Sequence, residues 1–520
     1  MRKTLIPACV LLSVVLLLLG CSLFGSTDFL HRKYHAVKLE SGDGWSIIDE
    51  EGNVVVDDEF DGTDELSDIW GDTYWVKSDG KFMLYSVKDS RKPISDVEYN
   101  HVSEMYKGRA LVARAGQPIK IINEKGDVVA TLPTDIVEVV FNFSPFCSFM
   151  KSDKTYGWMD MDGHIIKEGF FFVACGLDRV AVAQQKEDGP FLIFDAKGQE
   201  TGRFKADAIH RVSSDAILAK VKDQFVLFDN SGKQLCKFKR SIENMDSFVD
   251  GYATFFVSSD KCGIVNDKGE EELRAKYVWL ANLGGGCFLA CKNSKFGVID
   301  HEGKELIDID YDAIIKLGDN FLVKEDEVWL LLNDSGEELL GDIAAVNTVS
   351  CAEYRIRFFD MSAIAGDVAK LANLFDPSLT VALLATRLSI EPTSDLRYHS
   401  MITQQETMGD HQANVSYHFD GSVVKELTHQ EIRGEFFRWT ETVIDGYDWS
   451  DAPLDVITIK LDISGEMDYD DAELLMKQAL SKLDYKLNED GDMFATINGK
   501  KRHISFTRGT LGELVMTISK

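Results

Sequence analysis

The sequence predicts an all-β repeat array followed by an α+β domain, on three observations. A unit with an aromatic or apolar anchor, an Asp or Asn four residues on and a Gly three after that recurs through the first two-thirds of the 520 residues. The anchors are Trp45, Phe82, Ile119, Tyr156, Phe191, Phe225, Cys262, Phe296 and Trp329, spaced 33 to 37 residues apart, with the copy at Phe82 lacking both turn residues. Beyond about residue 346 the period stops and apolar residues take up helical spacing. A period in this range marks a repeat architecture, in which each unit buries its apolar faces against its neighbours.

The chain opens with Arg2 and Lys3, an apolar run over residues 5–19 broken by Pro7 and Ser13, and then Leu18-Leu19-Gly20-Cys21. A cationic start, an apolar stretch and a small residue at the cut describe a secretory signal. The run is short for a spanning helix of about 20 residues. Gly20-Cys21 resembles the bacterial lipoprotein lipobox. That resemblance implies cleavage after Gly20, an acyl chain on Cys21 and a tether over 21–33. Ser22, where some bacteria read an inner-membrane retention Asp, implies by analogy the outer membrane, with the face left open.

Lys and Arg number 56 against 86 Asp and Glu, a net charge of -30. Such a charge opposes nucleic acid and anionic lipid surfaces. Once Cys9 leaves with the signal and Cys21 takes lipid, Cys147, Cys175, Cys236, Cys262, Cys287, Cys291 and Cys351 remain. An odd number excludes a fully paired disulfide framework, and these read as small buried apolar residues.

The copy from Lys295 shows the unit best. Residues 296–299 are short, β-branched and aromatic, with Phe296 and Val298 on one face and Gly297 and Ile299 on the other. Neither face is polar, so the strand is expected to be covered on both sides. Asp300-His301-Glu302-Gly303 is a turn, since Asp can bond its own backbone and Gly can take positive φ. Strands follow at 305–309, 311–315 and 321–324. The fourth-strand place recurs at 111–113, 180–182, 217–219 and 255–257. Asp160-Met161-Asp162-Gly163 has the alternating acids of a calcium loop. The other copies lack the second acid, so the turn is the reading.

Here the residues resemble the bacterial WG-repeat (KWG-repeat) family. Lys295-Phe296-Gly297-Val298-Ile299-Asp300 through Gly303-Lys304 to Tyr311-Asp312 matches its consensus, and Tyr156-Gly157-Trp158-Met159-Asp160 and Gly263-Ile264-Val265-Asn266 match less closely. The resemblance covers about residues 34–345 and implies no single activity. Four short strands per unit suit a propeller blade, or one coil of an open β-solenoid. A closed, propeller-like array is favoured because closure removes exposed edges, although nine units exceed the usual range of about four to eight blades. The anchor Phe296 is expected in the core.

Residues 347–520 read as an α+β domain matching no family. A strand is predicted over 354–359 and a helix over 361–375 with Ile364, Val368, Leu371 and Leu374 on one side. A second helix is placed at 379–388, and residues 391–414 are left unplaced. Strands follow at 415–419, 435–443 and 454–463, then a helix over 470–483 with Leu474, Leu475, Ala479 and Leu480 as its stripe, then strands at 493–497, 503–507 and 514–518. A strand-then-helix opening at Tyr354 and again at Leu454 raises the idea of a duplicated unit.

His399, His411, His418 and His429 crowd one stretch, but their spacing fits no zinc motif. Gly284-Gly285-Gly286 lacks a following G-K-[ST] and is no phosphate cradle. Asp470-Asp471 suit a helix start. Phe436, Phe437, Trp439, Tyr447 and Trp449 fit either a stacking surface or a half-buried strand. With no catalytic, metal or cofactor motif, the sequence predicts a lipid-anchored cell-envelope scaffold. It would bind a protein or glycan partner through its repeats and hold to the membrane through lipid on Cys21. The alternative is an envelope hydrolase with its site in residues 347–520.

Overall fold

The computed structural model describes residues 32–519, apart from 61–63, 142–143, 177–179, 213–215, 223, 239–241, 247, 359–360, 375–378, 382, 385–400, 410, 421–424, 434–438, 449–450, 464–466, 468, 498 and 511–512. Cys21 and the signal lie outside the described residues. Among those described, no helix is long and apolar enough to cross a membrane. The chain forms two compact units, Met1–Phe358 and Phe359–Lys520.

The first unit is a series of small antiparallel sheets, and the strand at Phe296 shows why. Lys295–Asp300 pairs with Cys287–Lys292 on one side and Glu305–Tyr311 on the other. Val298 and Ile299 point to opposite faces and are both fully buried. Val298 packs with Phe321 and Val323 of the following module, Ile299 with Cys262 and Ile264 of the preceding one. A strand that is apolar on both faces needs a sheet on each side, and the chain supplies one.

The turn after each anchor strand is one motif. Asp300 Oδ1 accepts the backbone N–H of Glu302 at 3.0 Å and of Lys304 at 2.8 Å, and the Gly303 N–H donates to the Asp300 carbonyl at 3.0 Å. The same double acceptance occurs at Asp49, Asn123, Asp160, Asp195, Asp229, Asn266 and Asn333. The glycine serves two ends. Gly303 has φ 90, and a Cβ there would lie 2.9 Å from Leu273 Cδ1 on the preceding module. At Gly163 it would lie 2.7 Å from Ala130 Cβ. The turn of each of these modules therefore rests on the last strand of the one before.

Sheet and sequence copy are half a unit out of phase. Strands Ala313–Leu317 and Asn320–Glu325 belong to the copy that starts at Phe296, yet they pair onward with Val328–Leu332 and Glu338–Val346. A structural module is therefore an opening strand, a second strand, an anchor strand and a closing strand. The first module begins at its second strand, Tyr34–Leu39, and its opening strand comes from the far end of the array. The last strand, Glu338–Val346, pairs through its first half with Val328–Leu332. Its second half pairs with Tyr34–Leu39, in the register Leu39↔Ile343 and Val37↔Val346. Asp342, with φ 56, marks the break between the halves. Val37 and Ile48 share a buried cluster with Leu322, Leu331 and Ile343. Gly52 approaches Leu340 as Gly303 approaches Leu273.

Segment 347–358 was expected to open the second domain, but it belongs to the array. The Asn347 N–H donates to the Ala36 carbonyl (2.8 Å), Cys351 to Leu66 (3.2 Å) and Glu353 to Val102 (2.8 Å), and the Phe141 N–H donates to the Tyr354 carbonyl (2.7 Å). Arg355–Arg357 then adds a fifth strand beside Ile136–Val140. The segment is a strap across the first four modules. The strand at Tyr354 thus leaves the second unit, and with it goes the idea of a duplicated strand-then-helix.

The second unit is α+β. A seven-stranded antiparallel sheet runs in the order Met401–Met408, His411–Phe419, Leu454–Leu461, Leu514–Ser519, Lys500–Arg508, Met493–Ile497, Lys486–Leu487. Helices α1 (Met361–Leu374) and α2 (Tyr469–Ser481) share one core with it. Ile364, Val368 and Leu371 are buried as expected. The stripe on α2 is corrected: Leu474 is 54% exposed, and Ala472, Met476, Ala479 and Leu480 face the core. Strand Met401–Met408 was missed because its alternation is largely Thr, Gln and Glu. Half of the helix expected at 379–388 lies outside the described residues; 381, 383 and 384 are helical.

Phe296 is only half-buried, as are Trp45 and Tyr156. Each stands at or next to the start of its strand, whereas the residues two and three further on reach the core. We therefore expect Phe296→Ala to cost less than the roughly 3 kcal/mol of a fully buried Phe, and Ile48→Ala to cost about 2–5 kcal/mol. Urea unfolding followed by tryptophan fluorescence checks both. Asp300→Asn should be near neutral, because Asn fills the same role at 123, 266 and 333. Asp300→Ala should cost about 1 kcal/mol by losing both amide contacts. A large loss in the Asn variant would refute the turn chemistry.

Candidate functional site

The sequence places its functional residues apart. His411 and His418 sit at opposite ends of one strand, roughly 23 Å apart at the usual rise, and neither pairs with another histidine in its sheet. His418 is pushed below its ordinary value by burial. His429 lies on the separate hairpin Lys425–Arg433/Trp439–Asp448, which also carries Trp439 and Tyr447. His399, Phe436, Phe437 and Trp449 lie outside the described residues. Gly284, Gly285 and Gly286 make the turn between Trp279–Gly284 and Cys287–Lys292, all at positive φ. Asp470 and Asp471 stand in the first turn of α2. The seven cysteines from Cys147 to Cys351 are free thiols. Burial pushes the Cys147 thiol up to about 12 and raises the others in the same direction, so they stay protonated. Among the described residues no group of three His, Cys, Asp or Glu converges on a metal position.

The arrangement that does converge lies on the second and third modules. Two hairpin turns, Trp70-Gly71-Asp72-Thr73 and Tyr106-Lys107-Gly108-Arg109, close with reciprocal backbone bonds of 2.8–3.2 Å. Lys107 and Gly108 both take positive φ, which suits a two-residue turn between twisted strands. With the turn at Asn123 they enclose a cleft of about 540 Å³. Its floor is Trp70, Met105 and Tyr106. The Trp70 and Tyr106 rings meet edge to face at 6.1 Å, and Tyr106 meets Phe141 of the next module likewise at 6.2 Å. These three residues stand 36 and 35 apart, in phase with the repeat. That spacing, with Trp70 and Tyr106 each ahead of a Gly-containing turn, is the signal by which the sequence could have shown the site.

The rim is charged: Lys107, Arg109 and Lys125 against Glu124 alone, in a chain of -30. Arg109 is held by Asp162 of the next module at 2.9 Å. The Lys107 ammonium lies 5.1 Å from the Tyr106 ring. The Glu124 side chain stands over both turns, within 3.5–3.7 Å of where a Cβ on Gly108 or Gly71 would be. The aromatic floor is covered, with Trp70 at 8% and Tyr106 at 2% exposure, so it offers shape rather than a ring face for stacking. Of the other nearby acids, Glu104 is buried, Asp68 is ion-paired with Arg32 and Asp72 with Lys88. The cleft can hold an anionic or polar chain segment, and its lining supplies no acid–base pair.

No protein-family profile matches the chain, and no curated protein does. Among solved structures, BamB from Moraxella catarrhalis aligns at 13% identity and TM-score 0.27, covering 45% of this chain and 80% of that one. A eukaryotic initiation factor aligns at 9% and 0.43, covering 60% and 96%. The C-terminal WD40 domain of Sif2 aligns at 11% and 0.32, covering 52% and 92%. Likenesses at this level support no inference about function.

Proposed function

We propose that this protein is a lipid-anchored cell-envelope scaffold whose nine WG-like modules close into a propeller-like ring and dock a protein partner at the cleft between the second and third modules. One observation carries the docking site: Lys107 and Lys125, beside an Arg109 already held by Asp162, stand over an aromatic floor on a strongly acidic chain. The partner segment that fits is extended and acidic, because its carboxylates would meet Lys107 and Lys125 while its backbone lies along the two hairpin turns. Ring closure rather than an open solenoid is supported by the pairing of Tyr34–Leu39 with the last strand and by the core those ends share. Attachment through Cys21 is supported by the Leu18-Leu19-Gly20-Cys21 sequence.

Capture from intact envelopes with the acylated protein as crosslinked bait tests the site. Lys107→Glu combined with Lys125→Glu should lower capture of a specific partner by roughly tenfold or more while leaving the unfolding midpoint in place. Equal capture by both proteins would remove the cleft from the function. Separately, Cys21→Ser should move the protein from the membrane to the soluble fraction and abolish lipid on the mature N-terminus. Unchanged membrane retention would refute the anchor.

A further inference from the structure

Besides its backbone bonds, the strap 347–358 makes a side-chain contact with a buried acid, through the Ser350 hydroxyl. Ser350 Oγ accepts the backbone N–H of Asp68 at 3.2 Å and of Ala352 at 3.1 Å, and its own hydrogen bond goes to Glu104 Oε1. Glu104 is 5% exposed, and among the described residues its Oε2 has no hydrogen-bond partner. The frame around it is tightly specified. Ser103 Oγ donates to the Glu104 carbonyl at 3.0 Å and accepts the Leu111 N–H at 2.9 Å, and the Trp75 indole donates to the Ser103 carbonyl at 2.9 Å. A buried carboxyl with so few hydrogen-bond partners is costly to charge.

We propose that Glu104 is a protonation latch for the strap. Uncharged, it holds Ser350 and keeps segment 347–358 laid across the first four modules; ionised, it releases the segment that leads into the second unit. The charged and titratable groups around it are few. Asp68, from the second module, is occupied by Arg32 from the lead-in to the first. Cys351, on the strap, is a half-buried thiol raised by desolvation, with Glu104 pushing the same way. His35, on the strand beside Asn347, is held neutral, down to about 3, by burial and by Arg32. Elsewhere on the strap Glu353 meets His101 at 2.9 Å, and Arg355 and Arg357 meet Glu138 at 3.6 and 3.2 Å.

Burial raises the Glu104 carboxyl well above its ordinary 4.5, with the Asp68 charge pushing the same way and Ser350, Arg32 and the Asp68 backbone N–H opposing. The sign follows. The laid-down state keeps a proton that the released state gives up near 4.5. Strap closure is therefore strongest below that pH and weakens as pH rises toward the elevated value, by up to about tenfold per pH unit. The latch works whatever occupies the cleft.

Hydrogen exchange on the full chain, corrected for intrinsic rates and read by mass spectrometry between about pH 5 and pH 8, tests this. Protection of amides 347–358 should fall with pH in the native protein and be flat in Glu104→Gln, which keeps a neutral hydrogen-bonding group at the site. Glu353→Gln, which removes the contact to the titratable His101, should keep the native slope. Ser350→Ala should leave the strap weakly protected at every pH, a readout that does not depend on how well the Glu104 variant folds. Native protection that does not change with pH, a native slope persisting in Glu104→Gln, or a slope lost in Glu353→Gln would each overturn the latch.

Discussion

The array depends on strands that are apolar on both faces. Val298 serves one inter-sheet core and Ile299 the next. Ile47 and Ile48 do the same at the N-terminal end, Ile47 packing with Leu66 and Tyr74 of the second module and Ile48 with Leu322 and Leu331 of the ninth. Such a strand cannot be left at the end of a stack without exposing half of its side chains. The two ends of the series therefore need each other, and residues some 300 apart in sequence are brought into one sheet. Closing so long a loop costs conformational entropy, which the shared core and the backbone pairing of Tyr34–Leu39 with the last strand offset together.

The same constraint explains the half-unit offset between copy and sheet. The Asp-x-x-Gly turn is local and joins an anchor strand to its closing strand within one sheet. The chain then passes to the next sheet and makes a new hairpin. The repeat therefore begins in the middle of a sheet, and the first module is left without an opening strand. Residues 343–346 fill that place, and the chain continues as a strap along the modules it has just met.

Charge is distributed to suit this arrangement. Acids dominate the chain, yet cations gather at the cleft over Trp70 and Tyr106, where hairpins of two modules and a turn come together. The acids close beneath are taken out of play, Asp68 by Arg32 and Glu104 by burial. The cleft is thus suited to recognition, and the buried acid to holding the strap.

Local chemistry was legible in the sequence. The turn after each anchor needs only Asp or Asn and a Gly, so its place could be read residue by residue at Asp49, Asn123 or Asp300. The two-faced strands followed from the lack of polar residues around Val298. What the pattern could not convey was depth: Phe296 and Leu474 are apolar and in phase, yet one is half-buried and the other faces outward. Strand Met401–Met408 was hidden because its exposed face is polar and its buried face includes Gln and Glu. The sequence by itself determined the repeating strand-and-turn unit, since each is held by contacts within a few residues. Only the tertiary structure decided which strands share a sheet, where the strap 347–358 lies and which cations meet at the cleft, because those are set by contacts between distant modules that leave no periodic trace.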